Sequence, residues 1–220
     1  MRSIIIFFMF ITFSARAENF IAAPWVGNTL NGTPCVGEQG YGPFDYTKRH
    51  LYPHDLDLVE GAHFKPDVEN LLEGKHRSDD NSAWPDLDYT LRAWPNHARA
   101  LLSIIRFQLK INNKLTRLTI PIPAECYLNR AINYSPNDPV PYTLFGYYLH
   151  KIGHLGEADK FYKRAMELDP ENPKFAYSYS LLLIDMKRYE EAVKFAKIAY
   201  QHPHTPLTLK NKLQKLGLWK

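Results

Sequence analysis

The chain has 220 residues, 45% hydrophobic and 23% charged, with 16 prolines and 11 glycines. That composition excludes a disordered or collagen-like chain, and the length allows a core that needs neither metal nor dense disulfides. Outside the first 17 residues, 25 basic residues stand against 23 acidic ones. This near balance, without a basic block interleaved with aromatics, lacks the electrostatic footprint of a nucleic-acid-binding protein.

Arg2 precedes an apolar run from Ile4 to Phe13, followed by Ser14-Ala15-Arg16-Ala17. This order of a basic residue, a short apolar stretch and an A-x-A site predicts a signal peptide over residues 1–17, cleaved before Glu18. The run is about half the ~20 residues that cross a bilayer, and nothing downstream is apolar enough to span one. The expected mature protein is exported, periplasmic or secreted, with no membrane span after signal removal. Two cysteines remain, Cys35 and Cys126. In an oxidising compartment an even count makes a disulfide between them the expected reading, and no His-plus-Asn/Asp arrangement marks either as a nucleophile.

Residues 18–95 form an irregular N-terminal module by this reading. Its first part, with Asn31-Gly32, Pro34-Cys35-Val36-Gly37 and Gly40-Tyr41-Gly42-Pro43, is turn chemistry rich enough in aromatics to pack on the rest of the chain. From Asp55 to Gly74 the apolar spacing of Leu56, Val59, His63, Val68, Leu71 and Leu72 predicts helix, split in two by Pro66. Nine histidines occur in the chain, and His54, Asp57, Glu60 and His63 lie together here. Glu60 and His63 would share a helical face, so these four form a weak candidate metal or acid/base site, without an H-E-x-x-H motif or a Cys-His framework. No cofactor is expected. The stretch Asp86 to His97 interleaves charges with aromatics and reads as a docking segment in which Asp86 or Asp88 pairs with Arg92 or Arg99, and Asn96 caps the helix that follows.

The second half carries the clearest pattern. Pro139 to Asn172 reads as two helices joined by a turn at Gly153, the first with Tyr142, Phe145, Gly146 and Leu149 on one face, the second with Ala158, Phe161, Tyr162 and Ala165, stopped at Asp169-Pro170. Thirty-four residues after Ala158, Tyr162 and Ala165 stand Ala192, Ala196 and Ala199, and 34 before lie Ala124, Leu128 and Ala131. A fixed period of this length marks a solenoid of helical hairpins. Leu207, Leu209, Leu213 and Leu216 then predict one more amphipathic helix over 207–220 that caps the open end.

These residues resemble the tetratricopeptide repeat family, through Tyr142-x2-Phe145-Gly146-x2-Leu149, Ala158, Tyr162, Ala165 and Pro170. The resemblance covers about residues 96–220, in three units: 96–138, interrupted between Asn112 and Pro123; 139–172, the strong match; and 173–206, where Ser180 replaces the small glycine. It implies an all-α solenoid whose first helices line a concave groove for a protein or peptide partner, here in the cell envelope, and so a scaffold or adaptor more than an enzyme. The groove positions implied are Val140, Thr143, Tyr147, His150 and Lys151, then Lys174, Tyr177, Leu181, Ile184 and Asp185. Because Thr143 and Tyr147 occupy places where chaperone-binding members use Lys and Asn, the resemblance does not imply a carboxylate clamp. The competing expectation is an enzyme or metal-binding protein with its site in the N-terminal module and the repeats as its platform.

Overall fold

A computed structural model describes residues 22–71, 83–113 and 120–219, so the expected signal peptide, Gly74 and half of the 112–123 interruption lie outside the described residues. Among those described, regular structure is helical, apart from one antiparallel bridge between Asn28 and Pro34. The first 3₁₀ turn, Tyr46–Leu51, leads into α1 (Pro53–His63) and α2 (Pro66–Glu69). Pro66 opens α2 at its first position, where its missing N–H is harmless. Then come α3 (Trp84–Ala93), α4 (Ala98–Asn112) and α5 (Ala124–Tyr134). The chain continues through α6 (Pro139–Lys151), α7 (Leu155–Leu168), α8 (Pro173–Asp185), α9 (Tyr189–Ala199) and α10 (Leu207–Lys215).

Helices α6 and α7 pair tightly, as do α8 and α9. The small residues set by the 34-residue spacing make that possible: Ala158, Ala165, Ala192, Ala196 and Ala199 are fully buried. At Gly146 a Cβ would stand 2.9 Å from the ring of Tyr162, so only glycine lets α6 approach that side chain undisturbed. Ser180, in the same place one unit later, turns its hydroxyl into α9 and donates to the Ala192 carbonyl at 2.7 Å. Both hairpins turn alike. Gly153 at φ 87° and Lys187 at φ 61° each end a first helix in the left-handed conformation. The next N–H returns to the helix in each case, His154 to Leu149 and Arg188 to Leu183, both at 2.9 Å.

The first helices form a row in which α4 touches α6 and α6 touches α8, with α10 against α8 at the end; α5, α7 and α9 make no comparable contacts with one another. The array is tighter on the side of the first helices and therefore curves with α4, α6 and α8 inside.

The N-terminal module is more regular than the sequence indicates, and the first part of the stretch from Asp86 to His97, read there as a docking segment, lies in helix α3 as far as Ala93. Its polar residues are used inward: Asp88 accepts from the Tyr127 hydroxyl at 2.7 Å and faces Arg92 at 2.9 Å, and Asp86 holds His63 at 2.8 Å. Helix α3 packs on α4 much as α5 packs on α6, and α1 packs on α3, so helical stacking continues upstream of residue 96. Capping also departs from expectation. His97, not Asn96, caps α4, its Nδ1 accepting from the Ala100 N–H at 3.0 Å. Asn96 is fully buried and joins three segments, donating to Asp45 at 2.8 Å and Asp138 at 3.0 Å and accepting from the Tyr46 N–H at 2.8 Å.

Residues 22–43 lie across α5 as an arm. Cys35 and Cys126 are bonded, with both cysteines buried. Beside them Glu125 accepts from the Leu30 N–H at 3.1 Å, and Tyr134 donates to the Pro43 carbonyl at 3.1 Å. Arg130, 1% exposed, is the centre of this contact. Its guanidinium donates to the carbonyls of Ala23 (2.8 Å), Leu91 (2.7 Å) and Arg92 (3.3 Å) and to the Gln39 side chain, and it lies 5.0 Å from the Trp25 ring. No carboxylate hydrogen-bonds it among the described residues, so backbone dipoles carry the compensation for burying its charge.

Candidate functional site

Two candidate regions follow from the sequence. The first, in α1, does not assemble. His54 and Asp57 are exposed, Glu60 turns to His97 at 2.8 Å, and His63 turns to Asp86 at 2.8 Å while stacking on Tyr89 at 3.9 Å. The four side chains therefore do not converge, and among the described residues no group of three His, Cys, Asp or Glu is placed to hold a metal. The sequence spacing failed here because Glu60 and His63 each found a partner on another helix.

His97 is the one fully buried imidazole among them, and both its nitrogens are occupied. With Nδ1 accepting from Ala100, the proton sits on Nε2 and is donated to Glu60. Burial pushes its pKa below the usual histidine value, against the opposing pull of Glu60, while the His97 hydrogen bond holds the Glu60 carboxyl below its own. The ring is packed between Tyr46 at 4.2 Å and Phe64 at 4.8 Å. A base needs a free nitrogen, and this one has none; His97 fastens α1 to α4.

The second region is the inner row. The N-caps His97, Asp138 and Asn172 give α4, α6 and α8 a common register. Leu102, Thr143 and Tyr177 then occupy one equivalent position, Arg106, Tyr147 and Leu181 a second, and Lys110, Lys151 and Asp185 a third. Tyr147, Tyr177 and Leu181 are half-buried and lean on the core, offering area without loose rotamers. Thr143 is nearly buried and returns its hydroxyl to the Pro139 carbonyl at 3.2 Å, so it is helix surface more than contact. Ile184 is buried and Val140 half-buried against the core.

The structure joins His150 to Asp185 across α6 and α8 at 2.8 Å, and Lys212 of α10 approaches the same carboxylate at 3.6 Å. Three successive elements of the row are thereby linked by one polar chain that no local spacing in the sequence announces. Lys151 lies 5.5 Å from the Tyr147 ring centre and is exposed, as is Lys174. On the opposite side, where the second helices splay, Met166, Phe195 and Ile198 floor an open cleft of about 390 Å³.

What the inner row offers is a surface of partly exposed aromatic and aliphatic side chains with cations at its edges, continuous over three helices. It holds no nucleophile beside a base.

Residues 141–172 match the family model of the tetratricopeptide repeat. The match falls on α6 and α7, the hairpin built around Gly146 and Tyr162, and identifies that hairpin as a tetratricopeptide repeat. No curated protein matches the chain in sequence. Among solved structures the chain is similar to one named MamA MSR-1 C2, at 16% identity and a TM-score of 0.43, covering 72% of this chain and 76% of that one. It is similar to a second MamA crystal structure, at 21% identity and a TM-score of 0.42, covering 76% and 95%. PilF of Pseudomonas aeruginosa aligns at 15% identity and a TM-score of 0.30, covering 78% and 86%. At these scores the likenesses carry no argument about partners.

Proposed function

We propose that this tetratricopeptide-repeat protein is an exported adaptor that captures a segment of a protein partner along the inner row of α4, α6 and α8, in support of assembly of an envelope complex. The observation that carries the reading is the row itself: Tyr147, Tyr177 and Leu181 are displayed on rigid helices, and the polar chain His150, Asp185 and Lys212 fixes the helices' mutual position. Rigid aromatic area with a polar rim is what protein recognition uses. Export is supported by the pattern of the first 17 residues and by the Cys35–Cys126 bond, since such bonds persist in oxidising compartments.

The test is partner capture from a native envelope extract by the mature protein and by a Tyr147→Ala/His150→Ala/Tyr177→Ala variant. Tyr147 and Tyr177 also touch the core, so a Val59→Ala variant, in the remote N-terminal core, serves as the stability control. The reading predicts a partner retained by the parent and by Val59→Ala and lost by the triple variant. Equal capture by all three baits defeats the site.

A further inference from the structure

Charge is distributed between the two helical layers unequally. Helices α5, α7 and α9 carry six acidic and six basic residues. Helices α4, α6 and α8 carry five basic residues (Arg99, Arg106, Lys110, Lys151 and Lys174) and one acidic residue, Asp185. The terminal helix α10 adds Lys210, Lys212 and Lys215 with no acid. A chain that is almost neutral after residue 17 has sorted its excess positive charge onto the inside of the curve.

Part of that charge is spent. Arg99 is held by Glu69 at 2.5 Å, and Asp185 is shared by His150 and Lys212. Arg106 on α4, Lys151 on α6 and Lys174 on α8 remain, all exposed, and none lies within ion-pair distance of a carboxylate among the described residues. One such cation thus stands on each helix of the row, separated by half-buried apolar groups: Leu102, Leu109, Tyr147, Tyr177 and Leu181. Counted from the caps, Arg106 stands at the ninth position of its helix, Lys151 at the thirteenth and Lys174 at the second, so on helices about 9–10 Å apart a path through all three runs roughly 30 Å, the reach of about nine extended residues.

We propose that the occupant of the groove is an acidic protein segment, about nine or more residues of Asp or Glu interspersed with apolar side chains. The inference rests on the groove reading above and adds to it the partner's chemistry. Arg106 is near enough to Glu69 to feel its charge but, like Lys151 and Lys174, forms no ion pair among the described residues; the three cations raise the local concentration of a negative segment and reject a basic one, while the apolar positions between them supply contact area. A single nucleic-acid strand fits less well. Such strands need open aromatic faces on which bases stack, and Tyr147 and Tyr177 are packed against the core instead.

The test is to pan a random 12-residue peptide display library on the full-length mature protein. Parallel baits are Arg106→Gln/Lys151→Gln/Lys174→Gln and an outer-layer control, Lys160→Gln/Lys194→Gln/Lys197→Gln. The expected result is a pool enriched at least twofold in Asp and Glu over the input for the parent and the outer control, with no enrichment for the inner variant. One selected acidic peptide, followed by fluorescence anisotropy, should bind about tenfold more weakly to the inner variant and at least tenfold more weakly when salt is raised from 0.05 to 0.5 M. Its Asn/Gln counterpart should bind at least tenfold more weakly than the acidic form. A pool with no acidic enrichment, an outer control as defective as the inner variant, or a labelled 12-nucleotide single strand that outcompetes the acidic peptide overturns the proposal. The two readings fail separately: a native partner lost by the Tyr147/His150/Tyr177 variant but without acidic preference leaves the groove and removes its charge rule, whereas no loss of capture there removes both.

Discussion

Arg130 is where the N-terminal arm is fastened to the repeats, and replacing it by methionine separates the guanidinium from the aliphatic stem. The stem's packing is preserved, and four hydrogen bonds are lost: those to the carbonyls of Ala23, Leu91 and Arg92 and to Gln39. Two of the carbonyls belong to residues no more than 5% exposed, Ala23 and Leu91. An acceptor left unsatisfied in a buried site costs roughly 1–3 kcal/mol. Against this, methionine removes the desolvation penalty of a charge whose pKa burial has pushed down to about 10. The balance predicts a loss of about 2–4 kcal/mol in urea unfolding of the oxidised protein. Hydrogen exchange should also rise in the arm, most plainly at the Leu30 and Cys35 amides, which bond to Glu125 and Gly27. Arg130→Lys, which can satisfy one carbonyl but not three, should fall about midway. A methionine variant within 0.5 kcal/mol of the parent, or one whose arm amides exchange unchanged, would refute the idea that backbone carbonyls compensate this buried charge.

The Cys35–Cys126 bond closes a loop of 91 positions, for which chain entropy gives a stabilisation of about 4–5 kcal/mol; Cys35→Ser/Cys126→Ser should lower the urea midpoint accordingly, and a loss below 1 kcal/mol would show that the arm's hydrogen bonds already confine the open chain. Lys187 occupies with a side chain the conformation that Gly153 occupies in the preceding hairpin, so Lys187→Gly should stabilise by about 0.5–1 kcal/mol and Gly153→Lys should destabilise, both read by thermal unfolding. His97 is held neutral in the fold with its pKa depressed by burial, so the unfolded chain binds a proton that the native one refuses. Stability should therefore fall as pH drops below about 6.5, by up to about 1.4 kcal/mol per pH unit for one proton, and His97→Gln should flatten that slope between pH 6.5 and 5. Glu60, whose carboxyl is held low by the His97 hydrogen bond, adds its own loss only at lower pH, as acid protonates it. An unchanged slope in the His97 variant would exclude His97 as its source.

The repeats were legible because their packing leaves a local record. Ala158, Ala165, Ala192, Ala196 and Ala199 are small where helices touch, and that demand recurs at a fixed spacing whatever else the chain does. The cysteine pair was legible from the count. What could not be read were partners set by distance in space. Asn96 resembles a helix cap by type and position, but Asp45 and Asp138, 51 and 42 residues away, claim its side chain, and His97 caps instead. Helix α3 was hidden by Asp86, Asp88 and Arg92, whose charges suggest surface until Tyr127 and His63 are seen to meet two of them. Arg130 gave no signal, because its acceptors are carbonyls, which every residue has. In the groove, the resemblance pointed to Tyr147, His150 and Asp185 as lining residues, while the bond between His150 and Asp185 depends on how far one hairpin is rotated on the next.

The central claim is that a partner segment lies along α4, α6 and α8. Site-directed photo-crosslinking tests it most directly, with p-benzoylphenylalanine placed singly at Tyr147 and Tyr177 on the inner row and at Lys160 and Lys197 on α7 and α9. In cells expressing the full-length chain, the account predicts one crosslinked partner band from both inner positions and none from the outer ones. The same band from Lys160 or Lys197, with Tyr147 and Tyr177 silent, would place recognition on the convex side and contradict it.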